Sequence, residues 1–139
     1  MSYLLDTNVV SEWVKARPDP GVIRWLQEVD EDRVFIATVT LAELRYGIER
    51  LASGRRRQHL EEWLISELRP RFSGRILALD EAVADAWGEL AARRDKKGRR
   101  VSPIDGFIAA TATVHNLIVI TRNISDFEDL GVDIFDPWS

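Results

Sequence analysis

Apolar and polar positions follow two alternating rhythms along the chain: short runs that are apolar throughout, and longer stretches in which apolar residues recur every three or four positions. Tyr3-Leu4-Leu5 reads as a short buried strand, after which Thr7 and Asn8 are placed to cap a helix continuing through Val9, Val10 and Trp13. Pro18 and Pro20 break that helix, and Asp19-Pro20 opens a second one with Val22, Ile23, Trp25, Leu26 and Val29 on its apolar side. A strand is expected over 33–37. Thr40 then starts a helix with the stripe Leu41, Leu44, Ile48 and Leu51, ended by Gly54. A further helix covers about 58–68 and stops at Pro70, and Ile76 to Leu79 is another strand. Asp80 caps a helix carrying Val83, Trp87 and Leu90 that frays into the charged segment 93–100. Ser102-Pro103 combines a cap with proline at the first helical position, and that helix runs to about His115, with Asn116 as its stop. Leu117 to Ile120 is the most strand-like run of all. A loop holding Asn123 and Asp126 follows, and then a last strand over 132–135.

Short, wholly apolar strands alternating with helices imply a parallel sheet covered on both faces. The expected fold is an α/β protein, a three-layer α/β/α sandwich, with residues 1–139 forming one domain. There are no internal repeats and no low-complexity linker. Hydrophobic residues at 45% and charged residues at 30% are ordinary for a globular protein. The absence of cysteine excludes disulfides and thiolate zinc sites. Neither a signal peptide nor a spanning segment is legible, so a cytoplasmic protein is expected. The net charge of −4 argues against nucleic-acid binding by bulk charge, while leaving room for a local basic patch beside an acidic site.

In a parallel sheet, strand C-terminal ends and helix N-termini share one edge. Asp6 closes the first strand, Glu43 lies in the first turn of the helix after the second, and Asp105 lies in the first turn of the helix feeding the strand 117–120. Thr121, Asn123 and Asp126 emerge on that edge too. Like charges gathered on one rim raise each other's pKa unless a cation sits between them. An all-oxygen donor set suits Mg²⁺, or Mn²⁺ as a substitute, rather than zinc, and such a metal assists phosphodiester hydrolysis. Each residue also has a plainer reading. Thr40-Leu41-Ala42-Glu43 and Ser102-Pro103-Ile104-Asp105 have the form of capping boxes, and Asp6-Thr7-Asn8 that of a strand-to-helix turn. Capping accounts for each residue singly but not for the shared edge. It also leaves Gly106, Ala109, Ala110 and Ala112 unexplained, a small-sided helix face against which something must pack closely.

Arg55-Arg56-Arg57 and the run Arg93, Arg94, Lys96, Lys97, Arg99, Arg100 are equally well read as RNA-backbone contacts or as solvated helix ends. His59 and His115 have no partner motif and are read as structural. The five tryptophans fall mostly on apolar stripes and belong to core or interface.

The blocks LLDTNVVSEW at 4–13, TVTLAEL at 38–44, SPIDGFIAATA at 102–112 and TRNISDF at 121–127 resemble, in order and spacing, those of PIN-domain toxins of the VapC type. The closing FDPWS and the chain length are similar to the FitB-like branch. The resemblance implies a Mg²⁺- or Mn²⁺-dependent endoribonuclease, the toxic component of a type II toxin–antitoxin system. It further implies a small cognate antitoxin that blocks the site and binds operator DNA, and a homodimer that joins the antitoxin in larger hetero-oligomers. By matching position it makes Asp6 and Asp105 direct metal ligands and Glu43 a ligand through water. Asn123 and Asp126 are left as alternatives for completing the site. Two other readings remain: phosphoryl transfer through an aspartyl phosphate at Asp6, and a non-catalytic module of the same fold that binds or regulates.

Overall fold

The computed structural model describes residues 1–138. Five strands, β1 (Tyr3–Leu5), β2 (Val34–Ala37), β3 (Ile76–Leu77), β4 (Ile118–Ile120) and β5 (Ile134–Phe135), form one sheet in the order β3-β2-β1-β4-β5. Every neighbouring pair is parallel, with Tyr3 opposite both Val34 and Ile118. The expected three-layer sandwich is therefore what forms. Successive strand residues enter opposite layers, as the two-residue period of a strand requires. Leu4 and Val119 pack on one face, with Val83, Leu90 and Ile108. Leu5 and Ile120 pack on the other, with Val9, Val22, Leu64 and Phe72.

Helices α1 (Thr7–Glu12) and α2 (Pro20–Glu28) connect β1 to β2, and α3 (Thr38–Glu49), α4 (Arg55–Glu62) and α5 (Arg69–Arg71) connect β2 to β3. Helices α6 (Glu81–Lys96) and α7 (Pro103–His115) then carry the chain back across the sheet to β4, and α8 (Ile124–Phe127) links β4 to β5. The strand order thus reverses between β1 and β4. Such a switch point opens a crevice at the strands' carboxyl ends.

Several boundaries depart from the sequence pattern for identifiable reasons. The cap of α1 is Asp6, whose carboxylate accepts from the Thr7 N–H; Thr7 and Asn8 are already helical. Helix α3 begins at Thr38, not Thr40, because the threonine hydroxyls serve tertiary contacts: that of Thr38 accepts from the Leu79 N–H, and Thr40 is fully buried. Glu43 therefore stands in the second turn, and the capping-box reading fails. Gly54 does not end α3, which has closed by Arg50; it precedes α4. Pro70 does not stop the helix either. The turns Trp63–Leu68 between α4 and α5 are π-helical, and the Arg69 N–H reaches back five residues to the Leu64 carbonyl. This wider winding carries the helical path past a residue with no N–H to give. The strands β3 and β5 are two residues long rather than four, and the loop expected around Asn123 holds the single turn α8. Both Asp80 and Ser102 cap as expected, and Asn116 ends α7 in the left-handed conformation at φ 55°.

The small-sided face of α7 meets Trp87 of α6. The Trp87 and Phe107 rings stack with centroids 5.1 Å apart. A Cβ on Gly106 would stand 2.6 Å from the indole Nε1 and 2.9 Å from Cδ1. Glycine here is required by that close approach, one residue from Asp105. Gly106→Ala is expected to displace the indole and destabilise the protein by about 1–3 kcal/mol. Chemical denaturation would show the loss, and a changed Trp emission spectrum in the folded variant would place it at Trp87.

Candidate active site at the carboxyl edge of the sheet

The two strands that flank the switch point each end in a polar residue. Asp6 follows β1 and Thr121 follows β4, both buried, and the Asp6 N–H completes the ladder to the Ile120 carbonyl at 2.9 Å. The Thr121 hydroxyl donates to the second Asp6 carboxylate oxygen at 2.7 Å and accepts from the Asn123 N–H at 3.0 Å. The Asn8 amide lies 3.4 Å from that same hydroxyl and leaves its own buried Oδ1 without a partner among the described residues. One threonine thus joins the nucleus of the acidic edge to the loop carrying Asn123. Its importance was readable in part: a four-residue apolar run closing on a polar side chain is the same signal that marks Asp6.

Glu43 reaches the edge from the second turn of α3, where it accepts from the Thr7 hydroxyl. That hydroxyl also lies 3.3 Å from the buried Thr40 hydroxyl. Asp105 is half-buried in the first turn of α7, where its N–H donates to the capping Ser102 hydroxyl. Asp126 and Asn123 are exposed on α8 and its N-cap.

Electrostatics shows which of these groups share a field. Burial pushes the Asp6 carboxyl up to about 6, its bonds to Thr121 and Thr7 hold it back, and the charges of Asp105 and Glu43 raise it further. Asp105 is also raised, first by burial and then by the charge of Asp126. The structure therefore brings Asp6, Glu43 and Asp105 into one electrostatic group and links Asp126 to it through Asp105. Among the described residues no three acidic or imidazole side chains close into a ligand cluster. Carboxylates on one rim repel, and Asp6 and Glu43 each take a local hydroxyl partner instead. The donor set, all oxygen with one buried carboxylate at its centre, fits a hard divalent cation.

Beside this rim a groove of about 320 Å³ begins at Thr7 and Glu43 and runs between α1, α3 and α4 to Lys15, Arg56 and Trp63. The basic stretches flagged in the sequence divide. Arg57 is tied to Glu49, Glu61 and the Leu51 carbonyl, whereas Arg55 and Arg56 are exposed. In the second run Arg94 is buried and Arg99 pairs with Asp129 at 2.9 Å, while Arg93, Lys96, Lys97 and Arg100 face solvent. Both histidines are exposed, and among the described residues no helix is long and apolar enough to cross a membrane.

A parallel sheet whose switch point is lined by separated acidic residues is the construction of a PIN domain, and the PIN-domain profile matches residues 3–132. The chain belongs to the PIN-domain family, in its VapC and FitB branch. It is 38% identical to VapC ribonuclease Y4jK of Sinorhizobium fredii over 97% of this chain and 96% of that protein. It is also 38% identical to toxin FitB of Neisseria gonorrhoeae, over 97% of each. The solved structure of FitAB bound to an IR36 DNA fragment superimposes with a TM-score of 0.93 at 36% identity, covering 99% of this chain and 96% of that one.

A proton held by Asp6 in the fold and released on unfolding makes metal-free stability fall as pH rises from about 4 to 6. Below 4 both states are protonated and the cost is absent; above 6 it is fully present, about 3 kcal/mol at most. Denaturation of the metal-free protein and Asp6→Asn across pH 4–8 is expected to show the variant gaining stability relative to the wild type through that window. A stability difference independent of pH would contradict the placement of Asp6.

Proposed function

We propose that residues 1–139 act as one unit, a divalent-metal-dependent endoribonuclease that serves as the toxin of a type II toxin–antitoxin pair in the cytoplasm. The observation that carries this reading is the buried Asp6 carboxyl at the switch point, raised to about 6 and coupled to Asp105 and Glu43. Such a group becomes a strong ligand once a cation neutralises the repulsion. Mg²⁺ is the proposed metal and Mn²⁺ its substitute. When bound, it supplies charge neutralisation at the scissile phosphate and a more acidic water.

In this reading Asp6 and Asp105 hold the metal directly and Glu43 through water. Thr121 and the Thr7 N–H keep the Asp6 carboxylate fixed, with both oxygens already oriented. Thr7 fixes Glu43 from the neighbouring strand–helix junction. Asn123 and Asp126, on the exposed α8 turn, orient water or substrate at the outer side of the rim. The exposed Arg56, Arg93, Lys96, Lys97 and Arg100 are available to the RNA backbone. The similarity to a ribonuclease supports RNA as substrate. The similarity to a FitAB complex on DNA supports a cognate antitoxin that binds operator DNA; a homodimeric toxin inside a larger assembly belongs to the same proposal.

Purified protein is expected to cleave RNA with Mg²⁺ or Mn²⁺ and to lose cleavage in excess EDTA. Asp6→Asn should lower the rate by roughly two orders of magnitude or more while the protein stays folded. Undiminished activity in Asp6→Asn would remove the assignment. No cation-dependent rise in unfolding temperature, together with no cleavage over a panel of RNAs, would leave a binding or regulatory module instead.

A further inference from the structure

Arg94 occupies an unusual position. The apolar face of α6 runs Val83, Trp87, Leu90, and the next position on that stripe is an arginine, 5% exposed. Its Nη1 donates to the carbonyl of Glu128 at 3.0 Å and lies 3.5 Å from that of Asp126. Among the described residues its buried Nε has no partner and no carboxylate lies within ion-pair distance. A guanidinium stays charged at any physiological pH. Burying one against neutral carbonyls costs stability that a similarly sized apolar side chain would avoid. An arginine in this position therefore points to a role other than packing.

The two carbonyls belong to the last part of α8 and the residue after it. The other end of the same short segment carries Asn123, whose N–H is bonded to Thr121, and Asp126 bears on Asp105. Phe127 and Leu130 lie in the core beside Leu90 and Ala91. Beyond Arg94, the Arg99–Asp129 pair fastens the outgoing loop to the segment that follows α6. Two members of the basic run thus bond to the end of α8 and to the chain just after it.

We propose that Arg94 is a positioning residue for the acidic rim: it holds the end of the α8 turn so that Asn123, at the start of that turn, stays bonded to Thr121. This rests on the metal-site reading above. The two effects of the residue have opposite signs, which makes the proposal testable. Removing a nearby positive charge, taken alone, strengthens cation binding, whereas loosening α8 weakens it.

The test is a Mn²⁺ titration followed by thermal unfolding, on wild type, Arg94→Met, Arg94→Lys and the exposed control Arg24→Met on α2, with RNA cleavage measured in parallel. Arg94→Met is expected to keep or raise the metal-free unfolding temperature. It should need roughly tenfold more Mn²⁺ for half-maximal stabilisation, the effect usual for an outer partner of a metal site. Its kcat at saturating Mn²⁺ should fall roughly tenfold with KM unchanged. Arg94→Lys, with the charge but not the fork, should fall between, and it decides the matter if Arg94→Met does not fold. Mn²⁺ binding as tight as wild type or tighter would overturn the proposal. So would a raised KM at unchanged kcat, which would make Arg94 an RNA contact. A wild type that gains no stability from Mn²⁺ would sink the metal-site reading itself, and this proposal with it.

Discussion

The hydrogen bond from Thr121 to Asp6 is the join on which the acidic edge depends. It ties the residue after the central strand to the residue after β4, at the place where the strand order reverses. Its partners extend it in both directions, through the Thr7 N–H into α1 and through the Asn123 N–H into α8. A buried carboxylate is costly unless its oxygens are satisfied. Here one oxygen takes a backbone donor and the other a hydroxyl, and the remaining lone pairs are those available to a ligand.

The architecture was legible because its signals are strong. Wholly apolar strands between amphipathic helices leave little alternative to a covered parallel sheet, and the edge rule then places Asp6, Glu43 and Asp105 without any knowledge of side-chain packing. Local boundaries were less legible where a residue with a familiar local role had a tertiary one. The Thr40 hydroxyl looks like a helix cap, yet it is buried against Thr7, and the helix starts earlier, at Thr38, whose hydroxyl accepts a bond from the chain leaving β3. Asp6 looks like a strand end and is also the cap of α1. The π-helical turns before Pro70 had no sequence signal beyond the proline itself. The inward turn of Arg94 was readable from the stripe it continues, but the surrounding arginines and lysines disguised it as one more exposed cation.

Charge distribution organises the molecule more than net charge does. The acidic groups converge on one rim, raised by burial and by each other, while basic residues occupy the groove beside it and the end of α6. Ordinary ion pairs such as Arg57 with Glu49 and Glu61 hold the outer helices and, being partly exposed, add little each. Trp87 against Gly106 shows the complementary constraint: the helix that carries Asp105 meets α6 so closely that a Cβ on Gly106 would displace the indole.

The sheet order has a consequence for synthesis. Strand β1 is central, yet one of its two neighbours is β4, and Asp6 meets Thr121 across 115 residues of chain. A growing polypeptide can pair β1 with β2 early, but the acidic rim cannot be assembled until residue 121 has left the ribosome. Pairings this distant in sequence also slow folding, because closing the long loop costs entropy first. An N-terminal fragment ending before Thr121 therefore lacks the bond that holds the Asp6 carboxylate in place.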